Sequence, residues 1–378
     1  MHTKLLRGLA GTGLALLLVA CSTSGLTIGD RTLNFPWDAP QSNTPNGQPT
    51  LPLAAGETFG RGPVKVTLLL PLSDPALTGA ATALANGAKL AMSFIEANPN
   101  IAENITISLR DSGASAGSAS QAANAALQEG ASLILGPART DQVLAVGAVA
   151  RAAGIPVIGF ANDVSAAAPG VYLLSVLPES VAKRGLGYAL AKGNRGFAGA
   201  FPATADGAAQ ERAFRQAVAA IGLSPVAVYT YGSAAEVQGI VQQALPMLKT
   251  GYLDTLFLPD PATAPAFATA LQQASASGVQ IIGSPEWDSD GRLGQVPGLA
   301  GAIYPAVDPS GLLAIAGEYQ ARFGSAPPQL ATLAYTATIL ANVNTLSMSN
   351  PRYGAAALTA ASGFSGRDGV FRFLPNGQ

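Results

Sequence analysis

Two of the side chains on which enzymes most often rely are nearly missing here: the 378 residues hold one histidine, His2, and one cysteine, Cys21. A single thiol excludes an intramolecular disulfide, so stability has to come from an apolar core. Charge is scarce too, at 11% of residues, and the 21 basic side chains almost balance the 22 acidic ones. No basic stripe or charge run breaks that balance, which leaves no footprint for nucleic acid. What is plentiful is apolar: 48% of residues are hydrophobic, with 43 glycines and 27 prolines as punctuation. A chain of this length outgrows one hydrophobic core, so two lobes are expected.

The N-terminus explains where the lone thiol sits. Lys4 and Arg7 precede an apolar run from Leu9 to Ala20, the layout of a secretory signal and too short to span a bilayer. "LVAC", Leu18 to Cys21, resembles the bacterial lipobox, in which the cysteine is acylated and becomes the first residue. On this reading residues 1–20 are removed, His2 goes with them and Cys21 becomes a membrane anchor. A histidine or cysteine metal site, a Ser-His-Asp triad and a cysteine nucleophile are then all excluded. Ser22 beside the anchor favours the outer membrane. Residues 21–63, rich in Pro, Gly, Ser, Thr and Asn, read as a tether reaching roughly 35 Å. Within it Phe35 and Trp37 could clasp the protein's own domain or touch a partner.

From Val64 onward short apolar runs alternate with amphipathic ones. "VKVTLLL", "ITISLRD", "SLILG" and "IPVIGF" have the length and composition of strands buried on both faces, as in parallel sheets. Between them Leu84, Ala88, Met92 and Ile95 recur at helical spacing. A second series runs through "RGFAGAFP", "PVAVYTY", "DTLFLPD" and "VQIIGS". The pattern predicts two doubly wound α/β lobes of parallel sheet with right-handed crossovers. Gly154, Gly222 and Gly278 close three helices as left-handed caps.

Two enzyme-like motifs fail on chemistry. "GASAG", Gly113 to Gly117, matches GxSxG, but Ser115 has no histidine base and reads as a turn. "SVAK" (Ser180 to Lys183) and "KTG" (Lys249 to Gly251) keep the order seen in penicillin-interacting enzymes, yet Lys249 closes a helix where that chemistry needs a strand. Paired carboxylates are the enzyme route left open, and Asp206, Asp260, Glu286 and Asp288 could face one cleft. Open α/β sheets bind ligands at the C-terminal ends of their strands. Those ends carry Ser73, Arg139, Thr140, Ala161, Asp163, Tyr231 and Glu286, the candidate ligand-binding set; no catalytic residue, metal ligand or cofactor is expected.

The stretches "VKVTLLLPLSDPALTGAATALANGAKLAM", "GASLILGPARTDQVLAVGAVARAAGIPVIGFAND" and "EYQARFGSAPPQLATLAYTATILA" resemble the type I periplasmic solute-binding proteins of the leucine/isoleucine/valine class. The resemblance spans Val64 to Gln378. It implies two lobes joined by a three-strand hinge near Leu177, Gly283 and Ser362: residues 64–176 and 284–360 in lobe one, 177–283 and 361–378 in lobe two. One further strand usually follows in that family. It also implies that the Thr140 hydroxyl and the Ala161 backbone contact an amino-acid ligand. Asp163 stands where a small hydroxyl residue would hold the ligand carboxylate, and needs Arg139 to neutralise it. The second lobe departs further: "ADG" replaces a Tyr-Gly pair, and "YTYGSAAEV" has no acid for the ligand amine.

The lipobox, the tether and the ending "FSGRDGVFRFLPNG" are in turn similar to the lipoprotein subgroup of penicillin-binding protein activators. Two functions follow as expectations. One is a non-enzymatic, lipid-anchored receptor in the periplasm, binding a small polar solute of the amino acid or amide class and delivering it to an ABC permease. The other is a module that stimulates peptidoglycan synthesis by touching a penicillin-binding protein.

Overall fold

The computed structural model describes residues 26–28, 31–33 and 56–378. The signal segment, Cys21, Phe35 and Trp37 lie outside the described residues. A separate N-terminal unit contributes one antiparallel strand pair, β1 (Leu26–Ile28) with β2 (Arg31–Leu33). The described residues from Gly56 onward belong to a second unit.

That unit holds a sheet of six strands: β3 (Thr58–Phe59), β4 (Val64–Leu70), β5 (Ile105–Asp111), β6 (Leu133–Leu135), β7 (Val157–Gly159) and β8 (Val171–Leu173). Their order is β3-β5-β4-β6-β7-β8, and all pairings are parallel except β3 with β5. Between the strands run α1 (Thr78–Ala97), α2 (Ala116–Gln128) and α3 (Thr140–Ala152). Side-chain alternation sends Leu68 and Leu70 into a core with Leu84, Ala88 and Met92 of α1, while Leu69 joins Ala123 of α2 and Val146 of α3 on the other face. A strand apolar at nearly every position is thereby accounted for.

A sheet of four parallel strands follows: β9 (Phe197–Pro202), β10 (Ala227–Tyr231), β11 (Thr255–Phe257) and β12 (Gln280–Ile282), ordered β10-β9-β11-β12. Its helices are α4 (Pro178–Ala191), α5 (Ala205–Ala220), α6 (Val237–Lys249) and α7 (Ala264–Gln273). Phe201, Phe214 and Phe257 meet on one face with centroids 5.6 to 6.1 Å apart. Ala198, Ala200 and Leu256 fill the other with Val241 of α6 and Phe267 of α7. Doubly wound α/β architecture is thus observed around both sheets. Gly154, Gly222 and Gly278 have φ of +71°, +78° and +81°, the left-handed turns predicted for them.

The chain returns to the first sheet with α8 (Ser310–Phe323) and α9 (Leu330–Asn342), then two short helices, α10 (Asn344–Ser347) and α11 (Ala355–Leu358), and a hairpin of β13 (Phe364–Gly366) and β14 (Gly369–Phe371). Helices α1 and α9 touch backbone to backbone at Gly87, where a Cβ would stand 2.1 Å from the Ala331 carbonyl oxygen.

Three segments lie elsewhere than the sequence reading placed them. Residues 56–63, assigned to the tether, are part of the fold: β3 extends the sheet, Phe59 packs on the core, and Lys89 pairs with Glu57 at 2.6 Å. Residues 284–303 stay with the second sheet, because Trp287, Leu293 and Leu299 are buried in its core and Ile303 bridges to Ile282. The return crossing therefore comes after Ile303 rather than at Gly283. Residues 361–378, assigned to the second lobe, pack on the first sheet. Phe373 is buried against Tyr172 with centroids 5.1 Å apart, and Leu173 N–H donates to the Gly377 carbonyl at 2.9 Å.

Candidate functional site

In both sheets the strand order reverses beside the first strand of the series, β4 in one and β9 in the other, so both crevices open at C-terminal strand ends. In the first half the turn after β6 is Gly136–Pro137, with Gly136 at φ +87° and its Cα so close to Leu69 O that a Cβ would lie 2.1 Å away. The turn delivers Arg139 to the N-cap of α3 and Thr140 to its first position.

Arg139 is committed within its own half. Its Nε and Nη2 donate to the two Asp141 carboxylate oxygens at 2.9 and 3.0 Å, and Nη1 donates to the buried Asp74 carboxylate at 3.2 Å. The Asp141 hydrogen bond, with Asp74 behind it, raises the guanidinium further above its ordinary value. Neutralisation of Asp163 by Arg139 is therefore not what the structure has. Asp163 accepts instead from Arg212 Nη2 of α5 at 3.5 Å, across the crevice, and from Ser165 N–H at 2.9 Å.

Ser73 is likewise occupied: its backbone N–H donates to Asp111 at 3.2 Å. Burial works to raise the Asp111 carboxyl, but the Ser73 hydroxyl and the N–H groups of Gly113, Ser73 and Leu72 overcome it and hold the group below the usual carboxylate range. Ala161 is buried at 2% exposure in the core facing α3. Tyr231 also points inward, donating to Asp260 at 3.1 Å and sharing a 2.7 Å hydrogen bond with Thr263; burial drives its hydroxyl up from the ordinary range.

The pocket lies against the second half. It encloses roughly 420 Å³ of open space, counting its mouth, between Asn162 of the first half, Val176 of the crossing, and Pro178 and Val181 at the start of α4. Gln210 of α5, Phe257 at the end of β11, Pro259 after it, and Ser284, Pro285 and Glu286 after β12 complete it. Glu286 is thus the one predicted binding residue on the pocket wall, where it accepts from the Ser284 hydroxyl. Ser284 Oγ also lies 2.6 Å from the Pro259 carbonyl oxygen, so its one proton is shared between the two acceptors, which ties the loops after β11 and β12 together.

Carboxylates crowd this region. Asp206, in the first turn of α5, is pushed up from the usual carboxylate range by burial first and then by the charges of Glu286 and Asp163. Glu179, in the first turn of α4, is pushed up by burial and by Asp163, against opposing contributions from its own backbone N–H and from Arg212. Of the four acids singled out from the sequence, Asp206 and Glu286 are near enough for the charge of one to act on the other, and of the two Glu286 lines the pocket. Asp260 is taken by Tyr231 and Thr263, and Asp288 accepts from Tyr304 at 2.8 Å.

Sequence reading did not single out Asn162, Glu179, Gln210 and Arg212. Gln210 had a signal: it stands four residues after Asp206 on α5, the spacing that stacks two side chains on one helical face, and its Nε2 donates to Asp206 at 3.1 Å. The enzyme-like motifs resolve as structure. Ser115 caps α2 by accepting from Ser118 N–H at 3.1 Å, Lys183 rides on α4 and Lys249 ends α6.

Residues 63–375 match the family model described as periplasmic binding protein. The chain belongs to that family. Its architecture is that of solved members. One, described as a branched-chain amino acid ABC transporter from Rhodospirillum rubrum, superposes with a TM-score of 0.67 at 19% identity, covering 83% of this chain and 94% of that one. An ABC transporter substrate-binding protein from Desulfitobacterium hafniense, in complex with Leu, gives 0.60 at 17% identity over 83% and 93%. An ABC transporter solute-binding protein from R. palustris, in complex with benzoate, gives 0.56 at 19% identity over 84% and 91%. No curated protein matches. Among the described residues no helix is long and apolar enough to cross a membrane.

Proposed function

We propose that this member of the family is a periplasmic solute receptor for an ABC importer, that it binds one small polar molecule between its two halves, and that it carries out no reaction on it. The two halves are read as lobes that close over the ligand, hinged at residues 174–177 and 304–309. One observation carries the reading: the pocket sits at the C-terminal strand ends of the second sheet and takes its wall from both halves and from the crossing between them. Its apolar lining with a few polar groups suits a small molecule better than a macromolecule. Held by a diacylglyceryl group on Cys21, the receptor would stay at the membrane, the outer one being favoured by Ser22.

A thermal-melt screen of the full chain against amino acids, small amides and amines tests this. A ligand at 100 times its dissociation constant adds about 2.7 kcal/mol, worth several degrees of melting temperature for a domain of this size. A class-specific shift supports the receptor.

A second reading is favoured by one feature, the engagement of Ser73 and Arg139 by Asp111, Asp74 and Asp141, which leaves the first half poor in groups for a ligand carboxylate. It makes the protein an activator of a penicillin-binding protein with a vestigial cleft. A flat screen combined with specific in-cell crosslinking to such a synthase would establish it.

A further inference from the structure

The first half carries a second recess, which shares no residue with the pocket between the halves. It opens between the last turns of α1, the middle of α9 and the hairpin of β13 and β14, and holds roughly 500 Å³ of open space, counting its mouth. Arg367, in the turn of the hairpin, lines it together with Tyr335 of α9. This arginine is held in place without being neutralised. Its guanidinium lies over the Tyr335 ring at 4.6 Å from the ring centre, and Nη2 donates to the Tyr335 hydroxyl at 2.9 Å. Its backbone N–H donates to Thr336 Oγ1 at 3.0 Å, and its carbonyl oxygen abuts Gly311 at the start of α8, where a Cβ would stand 1.7 Å away. Arg139, Arg212 and Arg292 each meet a carboxylate, whereas among the described residues no acid pairs with Arg367. The adjacent Asp368 is committed to the start of α9, accepting from Gln329 Nε2 at 2.7 Å and from Thr332 Oγ1 at 2.8 Å. Nε and Nη1 of Arg367 make no hydrogen bond within the protein, and neither is closed off from solvent. A guanidinium has five N–H donors in one plane, so most of its capacity is unspent.

From these contacts we propose that the recess binds a small monocarboxylate with an apolar body, its carboxylate accepting from Arg367 and its body lying against Phe94 and Ile339. Phe94 is 40% exposed despite its size, and Ile339 is half-buried at the edge of the core, so the wall beside the cation is apolar and open. The forked N–H groups of an arginine match the two oxygens of a carboxylate, and one cation balances one negative charge. A phosphate brings a charge of about −1.5 to −2 at neutral pH, which a single guanidinium does not balance. An α-amino acid is disfavoured because no acidic side chain lines the recess to receive its ammonium group. Occupancy here is separate from that of the cleft, so the receptor reading does not depend on it.

Isothermal titration of the full chain with 4-methylpentanoate, its neutral amide 4-methylpentanamide, 3-methylbutylamine and inorganic phosphate tests each part of this assignment. The acid is expected to bind, with the other three at least about tenfold weaker, the size of one charge-assisted hydrogen bond. Arg367→Met, which keeps the length of the stem and removes the charge, should weaken the acid by about tenfold or more. Phe94→Ser, at an exposed position outside the core, should weaken it by about fivefold, and it carries the test if the hairpin needs Arg367 to fold. Backbone hydrogen exchange with the acid bound should slow at residues 364–367 and stay unchanged at 257–259 and 284–286. Silence of the acid at about 10 mM overturns the proposal, because a millimolar ligand would already show. The neutral amide, the amine or phosphate binding as tightly as the acid overturns the ligand class. Acid affinity untouched by both substitutions, or protection appearing at the cleft loops instead, overturns the assignment to this recess and leaves the receptor reading standing.

Discussion

Asp206 carries the tension of the site in one side chain. Position favours its charge, since it lies in the first turn of α5 where helix N–H groups point toward it and Thr204 caps the helix with a 3.0 Å hydrogen bond from Gly207 N–H. Burial and the charges of Glu286 and Asp163 outweigh that and raise its pKa. By linkage, a carboxyl whose folded pKa exceeds its unfolded one favours the fold below the unfolded value and loses that contribution as pH rises through the folded value. Once ionised, the group therefore strains the ligand-free protein. Asp206→Asn is expected to raise its melting temperature, by roughly 0.5–2 kcal/mol of stability, the usual gain from relieving a crowded charge, and a melting temperature at or below that of the parent would show that the helix N-terminus outweighs the crowding.

Elements were more legible in the sequence than the contacts between them. The parallel strands announced themselves because burial on both faces makes every position apolar, and the helices because α1 and its fellows keep one face for a core. Gly154, Gly222 and Gly278 marked helix ends through a backbone requirement visible in one residue type. Gly87 was not legible, because its reason lies 244 positions away at the Ala331 carbonyl. Inside a helix a glycine costs up to about 1 kcal/mol relative to alanine, so its presence in α1 has to be repaid by packing. Gly87→Ala is expected to gain that propensity and lose more, since the 2.1 Å approach forces α1 away from α9. Overpacking of this kind costs about 1–3 kcal/mol. Urea unfolding should show a lower midpoint at unchanged slope. A midpoint at or above that of the parent would show that the two helices can part without loss.

At the scale of the whole molecule the sequence reading found two α/β halves and misjudged which end of the chain serves which. Residues 361–378 gave no clue in composition that Phe364, Phe371 and Phe373 belong with Tyr172. The same distance in sequence hid the partner of Asp163: a carboxylate after β7 invites the nearest cation along the chain, Arg139, whereas the fold supplies Arg212 from α5 in the other half. That pair is a contact between the halves that is half-exposed on the arginine side, so it stabilises their approach by no more than about 1 kcal/mol and is open to salt. A contribution of that size is small for folding and large for a hinge, because 1 kcal/mol shifts an open-to-closed ratio about fivefold. Arg212→Ala should therefore leave the melting temperature within about a degree of the parent while expanding the ligand-free protein in small-angle scattering. High salt should expand the parent toward the same dimensions and leave the variant as it is. If parent and variant scatter identically at low salt, the approach of the halves is set by apolar packing along residues 174–177 and 304–309, and Arg212 acts on the charge of the pocket alone.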